Sequence, residues 1–366
     1  MITSLHRIIV IGRNTLTEAV RQKVLNVLLV FALVLVASSV LVSQLATPGL
    51  DNAGLFDPQI KFVKDFGCGA IGLFGFAIAL LSTAQLIPDE LGKRTIYTIL
   101  AKPVRRSEFL LGKFLGVVLL VVLAVTLMSS AFGLSLYWQE VRGIAYADSI
   151  YGAGFPNFPE VVDRVHRYES EAAQIQARGG NAAAQMQEIR ALDEKYRQEG
   201  VDSGAAKNSV EEESDWERCK GTVEAYDRDV RQIQDQVRDP QLIEAILLIF
   251  AKLIMTTGIA LLISTFATSS IFTIVTTFMI YLIGHLESVA RDVWLQRGAE
   301  VTIWQSGLLG LLSLLIPDMN SFTIVDEILA GNHVPWAHAV DLIGYASVYL
   351  VVLLAVSIVI FDYREI

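Results

Sequence analysis

The sequence predicts an all-α polytopic membrane protein with six transmembrane helices, both termini cytoplasmic, and a helical extracytoplasmic insert. Three observations carry this. Apolar residues make up 53% of the 366 positions and mean hydropathy is +0.49, values that soluble domains rarely reach. Six apolar stretches read as spans against the roughly 18 residues a helix needs to cross about 30 Å of hydrocarbon. Charge is also partitioned: residues 139–241 hold 13 Lys and Arg against 21 Asp and Glu, a net of −8 out of the chain's −9.

Taken in order, the chain opens on an amphipathic entry helix. Leu5, Ile8, Ile9, Leu16, Val20 and Val24 share one face while Arg7, Arg13, Arg21 and Lys23 favour water and headgroups, so it should lie along the cytoplasmic surface. The first span, 24–44, is longer than a signal-peptide core and has no clean cleavage pattern before Pro48, which makes it a retained anchor. The second, 66–87, carries Gly67, Gly69, Gly72 and Gly75, small residues that let helices approach closely. The joining segment 89–113 sets Lys93, Arg94, Lys102, Arg105, Arg106 and Lys113 against Asp89, Glu90 and Glu108, and this basic bias places it in the cytoplasm. The third span, 109–138, exceeds the required length, so it tilts or extends beyond the bilayer. The fourth and fifth, 242–266 and 271–286, are joined by the uncharged turn 267–270, and the sixth is 337–361. Between the last two, in 301–330, an apolar run at 308–316 is too short to span and is cut by Pro317; it fits a re-entrant or interfacial element. Trp294, Trp304 and Trp336 flank that segment, as interfacial rings do.

Six spans that start inside end inside. The entry helix, 89–113, the 267–270 turn and the C-terminal tail then share the cytoplasmic face, and the insert lies outside. Three regions follow: 1–138 with the entry helix and spans one to three, 139–241 as an acidic coiled-coil-like extracytoplasmic domain, and 242–366 with spans four to six. In the insert, Val161, Val165, Tyr168, Ala172 and Ile175 recur at spacings of four and three, as do Cys219, Val223, Tyr226, Val230, Ile233 and Val237. Two such seams predict helices packed as a hairpin or small bundle, to which Met186, Ile189, Leu192 and Tyr196 add a candidate third helix. The insert reads either as a solvated projection or as a platform for an extracytoplasmic protein engaged through 155–238.

Few residues suggest chemistry. Gly92-Lys93 and Gly112-Lys113 lack the upstream Gly and the following Ser or Thr of a phosphate-binding loop. The five His are scattered without ligand spacing, and Cys68 and Cys219 lie in a span and in the insert, so neither a metal nor a disulfide is expected. No nucleic-acid partner is expected either. Ionisable groups in apolar segments are better leads because lipid burial of charge is costly. Lys252, Glu244 and Asp341 are therefore candidate pathway or dimer-interface residues, with structural pairing or snorkelling as the alternative, and His285 and Glu287 lie near the outer end of the fifth span.

The segment after the second span has the form E-x-x-x-R-T-x-x-x-x-L-x-K-P-V-x-R-x-E-F-L-x-G-K, carried by Glu90, Arg94, Thr95, Leu100, Lys102, Pro103, Val104, Arg106, Glu108, Phe109, Leu110, Gly112 and Lys113. With the entry helix and the broken hairpin before the last span, it resembles the permease subunits of type-2 ATP-binding-cassette exporters. Among these it is most similar to the branch serving maturation of multicopper enzymes such as nitrous-oxide reductase. The resemblance covers 1–138 and 242–366 and leaves out the insert. It implies a non-enzymatic subunit of the bacterial cytoplasmic membrane, paired with a second permease copy and with a cytoplasmic ATPase that binds the ATP and magnesium. It also implies a coupling helix at Arg94 to Leu100, with Glu90, Thr95, Ile96, Tyr97 and Ile99 alongside and Lys102, Arg105 and Arg106 for ATPase carboxylates or anionic headgroups. A scaffold that moves extracytoplasmic proteins without solute flux, and a proton-coupled carrier using Lys252 and Asp341, are the alternatives.

Overall fold

A computed structural model of the chain describes residues 2–46, 57–88, 90, 105–153, 155, 158–178, 182–201, 209–296, 317–329 and 332–364. Among these residues all regular structure is helical: α1 (Ile2–Val20), α2 (Lys23–Ala46), α3 (Asp57–Ala84), α4 (Arg106–Gly152), α5 (Phe158–Ala177), α6 (Ala182–Val201), α7 (Ser209–Val237), α8 (Gln241–Phe266), α9 (Ser270–Gln296), a 3-10 turn at Asn320–Thr323, α10 (Ile324–Leu329) and α11 (Trp336–Tyr363).

Four helical stretches are long and apolar enough to cross a membrane: Gln59–Ala84, Arg106–Gly152, Trp216–Phe266 and Trp336–Tyr363. A fifth is added if α1 and α2, bent by 69° between Ser4–Val20 and Leu25–Ser39, act together as one broken span. The apolar part of α9, Ser270–Leu286, falls short of that length. By length and composition the described residues thus hold four to five candidate spans where the sequence suggested six, because α9 is apolar for too few turns and α2 is entered through a sharp bend. The third span is long, as its sequence suggested: α4 continues as one helix through Gly152, past residue 138.

The chain divides into two compact units, the first made of Met1–Ala46, Lys61–Leu136 and Asp239–Ile366. Its centre is α8, where Leu248, Met255, Ala260 and Leu261 are fully buried. Close packing there follows from glycine. A β-carbon at Gly67 would lie 2.3 Å from Phe132, one at Gly75 would lie 2.5 Å from Leu253, and one at Gly258 would lie 2.8 Å from Leu350. These sites draw α3 onto α4, α3 onto α8, and α8 onto α11. The outward faces of α9 and α11 expose Ile271, Phe272, Leu286, Val348, Val351 and Val359, as lipid-facing helices do; between apolar helices and lipid, packing of small residues replaces the hydrophobic drive.

Residues 301–316 lie outside the described residues, but 317–329 form a short folded-back element. The Asp318 carboxylate accepts from the Asn320 and Ser321 amides and from the Ser321 hydroxyl, which starts the 3-10 turn. The Met319 amide donates to the Gly284 carbonyl of α9 at 3.1 Å, and Val325, Ile328 and Leu329 bury the inner face of α10.

The second unit includes Tyr137–Arg238. Its core is Val161, Val165, Tyr196, Trp216 and Val223, with Tyr168, Leu192 and Cys219 packed against it. Both seams supply buried residues, and α6 supplies Leu192 and Tyr196. Inside this unit the last turns of α4 also pack on α7: Tyr151 donates to Asp229 at 2.6 Å and Tyr226 to Asp148 at 2.8 Å, and Arg238 pairs with Glu140 at 2.7 Å. The Trp216 indole and the Lys220 ammonium converge on one Asp193 oxygen at 2.9 and 3.0 Å. Burial raises this carboxyl's pKa, but the two donors outweigh it and hold Asp193 below its usual value. A depressed folded pKa contributes stability that is present above the unfolded value, about 3.9, and lost as pH falls through the folded one. Acid titration should therefore weaken this bundle below about pH 4, and Asp193→Asn should flatten that part of its stability profile when followed by near-UV circular dichroism.

Candidate coupling end and charged cavity

At one end of the first unit, side chains tie together elements far apart in sequence. Glu108, buried in the first turn of α4, accepts from the Ser4 hydroxyl at 2.7 Å, from Arg7 at 3.5 Å and from the Arg105 amide at 3.3 Å. Lys113, one turn on and also buried, pairs with Glu90 and reaches Glu18 of α1 at 3.9 Å. Arg106 donates to the carbonyls of Phe361, Asp362 and Arg364 at 2.9 to 3.3 Å. Arg364 in turn donates to the Thr265 and Ala267 carbonyls at the end of α8, satisfying acceptors that a helix C-terminus leaves open. The entry helix, the start of α4, the α8–α9 turn and the C-terminal tail thus form one connected end.

The close fit of α1 on α4 makes this possible. A β-carbon at Gly112 would stand 2.7 Å from Ile11, and one at Gly116 would stand 2.5 Å from Thr15 and 2.7 Å from the Gly12 carbonyl. The face of α1 that packs is therefore Ile8, Ile11, Gly12, Thr15 and Ala19, whereas Leu5, Ile9 and Val20 of the apolar face remain exposed. That leaves the greasy side free for a membrane surface. The small-residue spacing at Gly12, Thr15 and Ala19 was readable in the sequence but was overshadowed by the apolar face.

The expected coupling residues divide accordingly. Arg94, Thr95, Ile96, Tyr97, Ile99, Leu100 and Lys102 lie outside the described residues. Glu90 is held by Lys113, Arg106 is turned inward onto the C-terminal carbonyls, and Arg105 is exposed.

Further along the same unit is a cavity of about 510 Å³ among α3, α8, α9 and the 317–329 element, within the range of small-ligand sites. Lys252, on its wall, donates to His285 Nε2 at 2.9 Å, while His285 Nδ1 faces the Tyr281 carbonyl at 2.9 Å. The ring thus donates through Nδ1 and accepts from the ammonium through Nε2. Lys252 also stands 5.6 Å from the Tyr281 ring centroid, and that ring packs 4.2 Å from Phe76. Gly69 and Gly72 border the cavity, and β-carbons built there meet nothing within 4 Å. The glycines of the second span therefore serve two purposes: Gly67 and Gly75 for contact, Gly69 and Gly72 for space.

Glu244 and Asp341 are not on this wall. Asp341 is exposed on α11. Glu244 is completely buried, and neither carboxylate oxygen has a hydrogen-bond partner among the described residues. Leaving such a group unsatisfied costs about 1–3 kcal/mol or more. Glu244→Met, similar in volume, is expected to raise the thermal midpoint of the purified protein, and a fall would show that the carboxyl has an essential partner.

Among the described residues no group of three or more His, Cys, Asp or Glu is arranged to hold a metal. A search of curated proteins finds no match to the chain. Residues 9–151 match the family described as ABC-2 family transporter protein. That stretch, less than half of the chain, runs from the entry helix through the connected end to the close of α4, and over it the chain is similar to the membrane domains of ABC-2 transporters.

Proposed function

We propose that two copies of this chain, each with a cytoplasmic ATPase subunit, form an ATP-driven exporter of the bacterial cytoplasmic membrane that moves a substrate across the bilayer or extracts it from one leaflet. Six spans, counting α2 and α9, keep the connected end and both termini in the cytoplasm, where the basic segment 89–113 belongs. The observation that carries the reading is the Glu108 network. The residues that flank 91–104 are anchored, Glu90 by Lys113 on one side and Arg105 and Arg106 on the other, so a push passed to them would reach α1, α4, α8 and α11 together. Arg94 to Leu100 is the lever, with Ile96, Ile99 and Leu100 entering the ATPase and Lys102 and Arg105 beside acidic groups or headgroups. Lys252 lies on the transport pathway.

Tagged chain isolated from membranes should bring down an ATPase in stoichiometric amount, and Glu108→Ala should cut that recovery several-fold. Recovery of the intact chain without any ATPase would sink the proposal.

The closed core of the insert supports a second reading, in which ATP-driven motion acts through that domain on an extracytoplasmic partner, as resemblance to the multicopper-enzyme maturation branch suggests. ATP-dependent flux into vesicles separates the two, being absent if the chain only transmits force.

A further inference from the structure

Four charged side chains line the cavity: Lys61 and Asp65 from α3, Lys252 from α8 and Asp326 from α10. Two are cations and two are anions, yet none is within ion-pair distance of an opposite charge among the described residues. Elsewhere in the same unit opposite charges do pair, as Lys64 with Asp239 and Lys113 with Glu90. Lys61, Asp65 and Asp326 are exposed at the cavity and Lys252 is half-buried, so all four charges are open to a molecule that enters. One with the complementary pattern would pair with them.

The rest of the wall fixes the kind of molecule. Leu73, Ile249, Leu253, Phe322, Val325 and Leu329 are apolar. Lys61 and Gly72 are eleven residues apart on α3, about 16 Å along a helix, so along α3 the lining passes from the charges of Lys61 and Asp65 to Gly69, Gly72 and Leu73. Lys252 is fixed by its bond to the neutral acceptor nitrogen of His285, which orients the ammonium without cancelling its charge. We propose that this cavity binds a lipid with a zwitterionic headgroup, its phosphate held by Lys252 and Lys61, its primary ammonium by Asp65 and Asp326, and its chains leaving past Gly69, Gly72 and Leu73. This deepens the exporter reading by naming a substrate class and rests on it for the meaning of binding, but binding itself needs no ATPase.

The test is native mass spectrometry of the full purified chain in detergent, titrated with phosphatidylethanolamine or phosphatidylglycerol. Phosphatidylethanolamine should bind about tenfold more tightly, since each charge-assisted bond lost is worth about that factor. Lys252→Ala and Asp326→Asn should each weaken it by about tenfold. Gly72→Leu should block it; a β-carbon there meets nothing within 4 Å, and an unchanged thermal midpoint of that variant separates occlusion from misfolding. Equal binding of the two lipids, or unchanged binding in Gly72→Leu, would overturn the assignment. Competition by soluble glycerophosphoethanolamine at concentrations as low as those of the lipid would also overturn it, by assigning the cavity to a free zwitterion. ATPase co-isolation is a separate readout, so failure of lipid binding and failure of the exporter reading are distinguishable.

Discussion

Gly116→Leu is expected to release α1 from α4 and to reduce ATPase recovery to background. The obstructing atoms are the Thr15 β-carbon at 2.5 Å and the Gly12 carbonyl at 2.7 Å, parts of the chain that no rotamer change can move. The helices must separate, at a cost of about 1–3 kcal/mol or more for overpacking. Separation also pulls Ser4 and Arg7 from Glu108 and Glu18 from Lys113. Amide hydrogen exchange across α1 should rise sharply in this variant. Gly133→Ala, on the same helix at a position where a β-carbon meets nothing within 4 Å, should leave exchange and recovery unchanged. Intact recovery in Gly116→Leu with exposed α1 amides would mean that the entry helix has no part in coupling.

Trp216→Ala is expected to remove the largest single contribution to the second unit. The indole is 6% exposed, packs edge-on to Tyr168 at 5.7 Å and stacks on Tyr196 at 6.4 Å, and donates to Asp193. Truncating a buried Trp costs about 3–5 kcal/mol, a large share of the stability of a domain this size. Hydrogen exchange should accelerate through α5, α6 and α7 while α3 and α8 keep their protection. Trp216→Phe keeps one six-membered ring in the core and loses the pyrrole part with its bond to Asp193, which Lys220 still reaches, so its cost should be smaller, about 1–2 kcal/mol. Equal losses in the two variants would mean that the hydrogen bond, rather than the packing, holds the bundle.

What was readable in the sequence follows from local rules. Helical periodicity gave the seams of the insert, and the alternation that begins at Cys219 extends back three residues to Trp216, a step the apolar count alone did not reveal. The motif letters Glu108, Gly112 and Lys113 fall at the connected end, where their contacts are internal: an acceptor for α1, a space for α1, and a cation for Glu90. The count of six spans was less secure because it relied on apolar length at α9, where the apolar run is short. The cavity was beyond reach for a different reason. Lys61, Asp65, Lys252 and Asp326 are ordinary charges until tertiary packing places them around one space, and nothing local distinguishes Gly69 and Gly72 from Gly67 and Gly75. Lys252 and His285 each stand out in the sequence as ionisable groups in apolar segments, but their bond, across 33 positions, is set by tertiary packing.

On the proposed reading, an ATPase drives this chain through the segment between Glu90 and Arg105. A photo-crosslinking residue placed at Ile99 in intact cells tests it most directly, with a second placed at Arg218 of the insert as comparison. The account predicts capture of an ATPase from Ile99 and none from Arg218. Capture from Arg218 alone, or from neither while the tagged complex still hydrolyses ATP, would contradict it.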